Sequence, residues 1–388
     1  MTNQSVKEYA AAIRCRYKQA NKEGKGKILD EFIKVTGYHR KAAIRLLRQG
    51  DRNKVKGKRG RPRQYGQAAT SALKMVWEAS DHLCSKRLQP FIPDLVSVLL
   101  RKEEIHMSPE VHTQLIKLSP STIDRLLLPY RNLTGRRPLS TTKPGSLLKS
   151  AIPIRTFADW QEDRPGFLEA DLVAHCGESV EGFYLNTLST VDVSTGWCEC
   201  AGVWGKGQQR VGSAINQVKE RLPFPLLGLD SDNGSEFINQ SLFEYCRRWQ
   251  ITFTRSRSYK KNDSCYVEQK NWSVVTRLIG YDRYSSRKAL GALNRIYFLL
   301  RLYVNYFQPV MKLISKTRHG ARVHKVYDKA QTPYQRLLSS GILPEAKKRQ
   351  LAAIYNGLNP VLLLKRINVN LESLWRLAER PPGAIKIR

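Results

Sequence analysis

From residue 167 to 176 the chain reads FLEADLVAHC, an apolar run of strand length with a carboxylate, Asp171, at its centre. A run of this kind reads as a half- or fully buried central strand. Burying a carboxylate there is costly unless a cation or a metal ion offsets the cost. A salt-bridged or sheet-edge aspartate is the structural alternative. Glu169 and His175 lie on the same face, since side chains two apart on a strand point the same way. Glu169 is nearer the strand's start and ranks second as a ligand, and His175 reads as a hydrogen-bonded structural histidine rather than a proton shuttle.

Outward from this strand, residues 183–193 and 197–204 also read as strands, joined by a Ser194-Thr195-Gly196 turn. A helix is expected over 208–222, a short strand over 226–230, a helix over 236–249 and a short strand over 251–255. After the loop at 258–264, two helices run to Asn305. Three strands in a meander, followed by alternating helices and strands, give a mixed sheet with helices on both faces. Residues 166–309 therefore read as an α/β domain.

Two further carboxylates stand out. Residues 226–237, LLGLDSDNGSEF, are an apolar strand running into Asp-Asn-Gly, whose turn leaves Asp232 at the strand's end. Asp230 shares that face and competes with it, as a neighbouring carboxylate or as a ligand in its place. In residues 264–280, SCYVEQKNWSVVTRLIG, the positions Val267, Asn271, Val274 and Leu278 form one helical stripe able to seat a helix on the sheet. That leaves Glu268 beside its edge. Positions 233 to 267, thirty-five residues, separate Asp232 from Glu268.

The region before the α/β domain is helical. Ile28, Leu29, Phe32 and Ile33, a break at Thr36-Gly37-Tyr38, then Ala42, Ala43, Ile44, Leu46 and Leu47 make a helix-turn-helix pattern. Arg40, Lys41, Arg45 and Arg48 on its second helix are candidates to face DNA; an ordinary basic helical hairpin is the alternative. Residues 48–63 carry eight basic side chains against Asp51 alone and read as a basic linker. Within it Gly60-Arg61-Pro62 is similar to an AT-hook core, so Arg61 and Arg63 are candidate DNA contacts. A second helical block follows to about Tyr130. Ser108-Pro109 and Ser119-Pro120 open two short helices, and Ser121, Thr122 and Arg125 take the positions of a recognition helix. The domains expected are thus 1–64, 65–131, a linker at 132–165, 166–309, and a basic region at 310–388 whose fold the sequence does not yield.

Lys and Arg total 66 against 33 Asp and Glu, a net charge of +33, which implies a polyanionic partner. No apolar run approaches the roughly 20 residues of a membrane-spanning helix, and residues 1–17 hold no signal-peptide core. A soluble protein of the cytoplasm is expected, without membrane partners. Seven irregularly spaced cysteines argue against a disulfide framework. Cys198 and Cys200, on one face of a strand, read as buried apolar groups rather than a metal site.

Asp171, Asp232-Asn233-Gly234 and Glu268, in that order on strand, strand end and helix, resemble the D,D-35-E catalytic core of retroviral integrases and of the integrase-like insertion-sequence transposases of bacteria. YKKNDSCYVEQKNW (259–272), YVNYFQP (303–309), RVHKVYD (322–328) and QTPYQRLL (331–338) extend the likeness towards Leu338. The resemblance implies an RNase H-like mixed-sheet catalytic core preceded by an all-α helix-turn-helix DNA-binding region. It also implies that Asp171, Asp232 and Glu268 are the catalytic residues and hold two Mg2+ ions, with Mn2+ a substitute, roughly 3.5–4 Å apart. Water then cleaves the phosphodiester at a transposon end, and the freed 3′-hydroxyl attacks target DNA. The partners implied are double-stranded DNA, both transposon ends and target, and a second copy of the chain, at least a dimer on DNA. The setting implied is the bacterial cytoplasm, on the nucleoid when bound.

Two departures shift the DNA contacts. The His-His-Cys-Cys zinc module of retroviral integrases is absent, and Trp272 and Val275 stand where those enzymes carry lysines four and seven residues beyond the glutamate. Lys260, Lys261 and Lys270 are the candidates in their place. Trp249, Trp272 and Tyr259 are candidates for stacking on bases, although Trp272 is expected to serve mainly in packing. The rival functional readings are a catalytically inactive, element-derived DNA-binding regulator and an RNase H-type nuclease.

Overall fold

The computed structural model describes residues 1–48, 64–131, 164–232, 234–256 and 265–379. The chain divides into two compact units, Met1–Gln64 and Tyr65–Arg388.

In the first unit, helices α1 (Asn3–Gln19), α2 (Lys22–Thr36) and α3 (Arg40–Arg48) pack around Val6, Ala10, Ile28, Phe32, Ala43 and Leu47. The side chains of Thr2 and Asn21 accept N–H groups at the starts of α1 and α2. Gly37, at φ +73°, ends α2 in the left-handed conformation that glycine adopts at least cost, which frees the chain to turn into α3.

The second unit opens with α4 (Gln67–Ala79), α5 (Ser85–Leu88), α6 (Ile92–Arg101), α7 (Pro109–Ile116) and α8 (Pro120–Leu127). As the Ser-Pro pairs predict, Ser108 accepts the Val111 N–H and Ser119 the Thr122 N–H. A mixed sheet follows. Its strands are β1 (Phe167–Ala174), β2 (Asn186–Asp192), β3 (Cys198–Val203), β4 (Gly228–Ser231) and β5 (Thr252–Arg255), with α9 (Gln208–Arg221) and α10 (Gln240–Arg248) between the later ones. The spatial order is β3-β2-β1-β4-β5. The meander β1-β2-β3 is antiparallel, whereas β4 and β5 run parallel to β1. This is the meander followed by alternating helices and strands that the pattern of residues 166–255 predicts, and its order is that of an RNase H-like sheet.

One helical rod crosses the β1 face in three stretches: α11 (Cys265–Lys270), a π-helical turn (Asn271–Thr276) and α12 (Arg277–Ile279). The long α13 (Arg287–Phe307) packs on β3 and on the last helix. Asn305 ties α13 to β3 through both backbone polar groups of Cys198, at 2.8 Å each. The region after α13 forms a hairpin, β6 (Leu313–His319) and β7 (Arg322–Tyr327), then α14 (Pro333–Ser339), α15 (Glu345–Gly357) and α16 (Pro360–Trp375). Thr332 and Gln335 close a capping box at the start of α14. The helices of residues 67–127 share one apolar core with the sheet and with α13 to α16, and the Tyr303 hydroxyl donates to the Ala79 carbonyl at 2.9 Å.

Candidate active site

Strand register assembles the site. In the parallel pair β1–β4, Glu169 lies opposite Asp230 and Ala170 opposite Ser231. One step further along both strands, Asp171 falls beside Asp232. Because side chains alternate across the sheet, all four carboxylates occupy one face, in two tiers. The lower tier, Glu169 and Asp230, is buried, at 0% and 2% exposure. The upper tier, Asp171 and Asp232, is half-buried and open towards solvent.

Each upper carboxylate is oriented by local donors. Asp171 accepts the Leu172 N–H at 2.8 Å and the Asn271 side-chain amide at 2.5 Å. Asp232 accepts the Gly234 N–H at 2.9 Å, the Asx-turn geometry that its Asn-Gly sequence favours. Burial pushes the Asp171 carboxyl above its usual range. Burial and then the adjacent Asp171 charge push Asp232 up to about 7. Among the described residues neither carboxylate takes part in an ion pair with Lys or Arg. Two partly desolvated, mutually repelling carboxylates form an all-oxygen donor set that suits a hard divalent cation.

The sequence reading missed Glu236. This half-buried side chain folds back over Gly234, where an added Cβ would lie 2.7 Å from its carboxyl carbon and 2.9 Å from Asp232 Oδ1. Its charge adds to the upward shift of both Asp171 and Asp232. Its place four residues after Asp232, in a turn that reverses on Asn-Gly, was the available signal.

The lower tier serves the helix. Glu169 Oε2 accepts the Val267 N–H at 2.7 Å and is also bonded by the Tyr266 N–H. It thereby caps the opening turn of α11 from the neighbouring strand. Burial above all holds the Glu169 carboxyl well above the usual range, with the Asp230 charge adding to the rise. Thr254 on β5 donates to Asp230 at 2.5 Å.

Glu268 follows Val267 on α11 and is exposed; its charge is felt at Glu169. Among the described residues, no group of three or more His, Cys, Asp or Glu lies close enough to hold a metal ion. The structure thus brings Asp171 and Asp232 together and does not gather Glu268 with them.

The π turn changes the helix face that periodicity predicts. Val267, Asn271, Val274, Val275 and Ile279 are buried, and Leu278 is half-buried. The wide turn delays the later part of the stripe by one residue, from Leu278 to Ile279, while Asn271, a polar group in the apolar stripe, stands against Asp171. Trp272 is 60% exposed, so the packing role expected of it falls to Val275. His175 is buried and shares a hydrogen bond with the Thr187 hydroxyl at 2.7 Å, which continues to Tyr297 at 2.5 Å. Burial alone pushes its imidazole down to about 4.

The basic candidates are dispersed. Lys41, Arg45 and Arg48 form an exposed stripe on α3, and Arg40 pairs with Asp30. On α8, Ser121 and Arg125 are exposed, while the Thr122 hydroxyl is engaged by Ser119 at 3.0 Å. Lys270 is half-buried, and burial lowers its ammonium. Trp249 is 56% exposed with the Lys219 ammonium 3.7 Å from its ring centroid. Arg61, Arg63, Tyr259, Lys260 and Lys261 lie outside the described residues.

The strand order and the paired carboxylates define a mixed α/β protein with an acidic site across two adjacent parallel strands. The chain is 43% identical over 329 residues to "Uncharacterized protein y4rM" of Sinorhizobium fredii, covering 85% of this chain and 94% of that protein. It belongs to the family of that protein. No family model matches the chain. Solved structures similar to it include the catalytic core domain of BIV integrase, at 20% identity and TM-score 0.30, covering 45% of this chain and 95% of that one. Another is the HTLV-2 integrase catalytic core domain in complex with magnesium, at 18% identity and TM-score 0.28, covering 38% of this chain and 90% of that one.

Proposed function

We propose that the chain is a DNA transposase of the integrase type, which cleaves phosphodiesters at the ends of a mobile element and joins the 3′-hydroxyls to target DNA. The observation that carries this reading is the Asp171–Asp232 pair: Asp171 on β1 and Asp232 just past the end of the parallel β4, near enough that the Asp171 charge helps to raise the Asp232 pKa. The D,D-35-E spacing to Glu268 and the net charge of +33 support it.

Asp171 and Asp232 would hold divalent metal, and the D,D-35-E spacing, rather than the geometry, nominates Glu268 as the third ligand; Mg2+ suits the all-oxygen set and Mn2+ substitutes for it. Bound metal supplies activation of the attacking oxygen and stabilisation of the leaving oxygen. The chain's own groups fix where this happens. Asn271 and the Leu172 N–H hold the Asp171 carboxylate, and the Gly234 N–H holds that of Asp232. Glu169 anchors the helical turn from which Glu268 projects. The exposed cations of α3 and α8, with Lys260, Lys261, Arg61 and Arg63 of the basic segments, are assigned to DNA. Synapsis of two element ends requires at least a dimer.

Asp171→Asn, Asp232→Asn and Glu268→Gln are each expected to lower metal-dependent cleavage and joining at least a hundredfold, while duplex binding in a gel-shift assay stays within about threefold. Full activity of Glu268→Gln would remove it from the site, and the same assay on Asp230→Asn separates Asp230 from Asp232. Cleavage without joining would point to a nuclease. Sequence-selective binding without cleavage would point to a regulator.

A further inference from the structure

Residues 313–327, LISKTRHGARVHKVY, contain Lys316, Arg318, Arg322, Lys325 and two histidines, and no Asp or Glu. They form the hairpin β6–β7, closed by the two-residue turn Gly320-Ala321 with Gly320 at φ +60°. Every residue from Ile314 to Tyr327 is exposed, on both faces of the ribbon. An isolated two-stranded ribbon is marginal in water, because it lacks a layer to bury itself against. This one also sets Lys316 directly opposite Lys325, a like-charge pair that weakens the hairpin further. Among the described residues none of its four Lys and Arg side chains is ion-paired.

Its base, by contrast, is fastened. Asp328 accepts the Lys312 N–H at 2.7 Å and returns its own N–H to Lys312 at 3.0 Å. Arg336 of α14 pairs with Asp328 at 2.7 Å and donates to the Val310 carbonyl at 2.8 Å. Val310 and Gln331 exchange backbone bonds at 2.8 and 3.1 Å. A firmly held stem carries an arm whose charge and exposure its own fold does not use.

We infer that the β6–β7 ribbon is a DNA-contacting arm, which places Lys316, Arg318, Arg322 and Lys325 against the phosphates flanking the groove it enters. Polyanionic charge would relieve the Lys316–Lys325 repulsion. Strands about 4.8 Å apart make a ribbon that the roughly 12 Å major groove admits. Cations lie on both faces, Lys316, Arg318 and Lys325 on one and Arg322 on the other, so both groove walls are within their scope. The inference rests on the DNA-acting reading proposed above, and adds a contact surface that neither the carboxylates nor the helical region contains.

The test compares the full chain with a variant carrying Lys316→Ala, Arg318→Ala, Arg322→Ala and Lys325→Ala, with the affinity for a generic duplex measured by fluorescence anisotropy at several salt concentrations. Each lost phosphate contact lowers the slope of log affinity against log salt by about 0.9, so the variant is expected to lose about 3 to 4 in slope. Single Lys316→Ala and Lys325→Ala chains are expected to lose about 0.9 each, which keeps the test open if the fourfold variant fails to fold. A chain with Lys316→Arg, Arg318→Lys, Arg322→Lys and Lys325→Arg is expected to keep the wild-type slope. If the wild type binds duplex and all the alanine variants match its slope and affinity, the ribbon faces something other than DNA and the inference falls alone. A wild-type chain with no salt-dependent duplex binding would sink the inference together with the reading beneath it.

Discussion

At the scale of single residues, burial sorts the carboxylates by role. Asp192 takes the Gly166 N–H and both donors of Thr195, and Glu199 takes Arg301 and Trp197, so each is satisfied within the fold. Asp171 and Asp232 face each other and solvent instead. Glu169 lies between these cases: a buried acid that caps α11. Its pKa is raised in the folded chain, so the folded state keeps a proton that the unfolded state gives up once pH passes the ordinary glutamate value near 4.5. Stability contributed in this way is present at low pH and is lost as pH rises. Glu169→Gln keeps an acceptor for the Val267 N–H without the ionisation, so its stability relative to wild type is expected to be higher at pH 8 than at pH 5. Glu169→Ala leaves buried N–H groups unmet and is expected to cost about 1–3 kcal/mol at both pH values. Urea melts at the two pH values decide the matter, and an equal Gln-minus-wild-type difference at both would contradict it. The sequence marked Glu169 as the lesser neighbour of Asp171, because its service to α11 depends on a contact 98 residues away that no local pattern carries.

At the scale of elements, the β1–β4 pairing sets the distance between the two aspartates, and it depends on a close approach. Phe167 lies opposite Gly228, with its ring where a side chain on Gly228 would be: an added Cβ would come within 2.3 Å of ring carbon Cδ1. Gly228→Ala is therefore expected to destabilise the chain by about 1–3 kcal/mol through overpacking. Thermal or urea unfolding checks this, and a neutral effect would show that the ring yields without cost. Strands and helices were legible wherever one face is apolar: β1, β3 and α9 fall within a few residues of the pattern. The helix read as opening at Glu236 begins at Gln240, because Asn239 caps it by accepting the Leu242 N–H. The π turn escaped because a 3.6-residue period is presumed in any stripe analysis. The β6–β7 ribbon escaped for a related reason: with both faces exposed, its residues follow no burial alternation.

At the scale of the whole molecule, two cores divide the work. The core of Met1–Gln64 draws on its own residues, Val6 to Leu47, whereas the helices of residues 67–127 share theirs with the sheet and α13 to α16. As the transposase proposed above, the chain has two tasks, binding particular ends and acting on any target, which separate parts can carry. The small first unit, with its Lys41, Arg45 and Arg48 stripe, is the natural holder of the first. A chain beginning at Tyr65 is expected to keep the main thermal transition of the full protein, since no residue of the shared core has been removed. It is also expected to keep metal-dependent nicking of unrelated duplex at low salt. Its preference for duplex carrying the element's ends is expected to drop at least about tenfold, the loss of a set of base contacts each worth about 1–3 kcal/mol. Competition binding with end-containing and scrambled duplexes measures that preference. If the shortened chain kept it in full, selectivity would have to reside in α7 and α8, where Ser121 and Arg125 are already exposed.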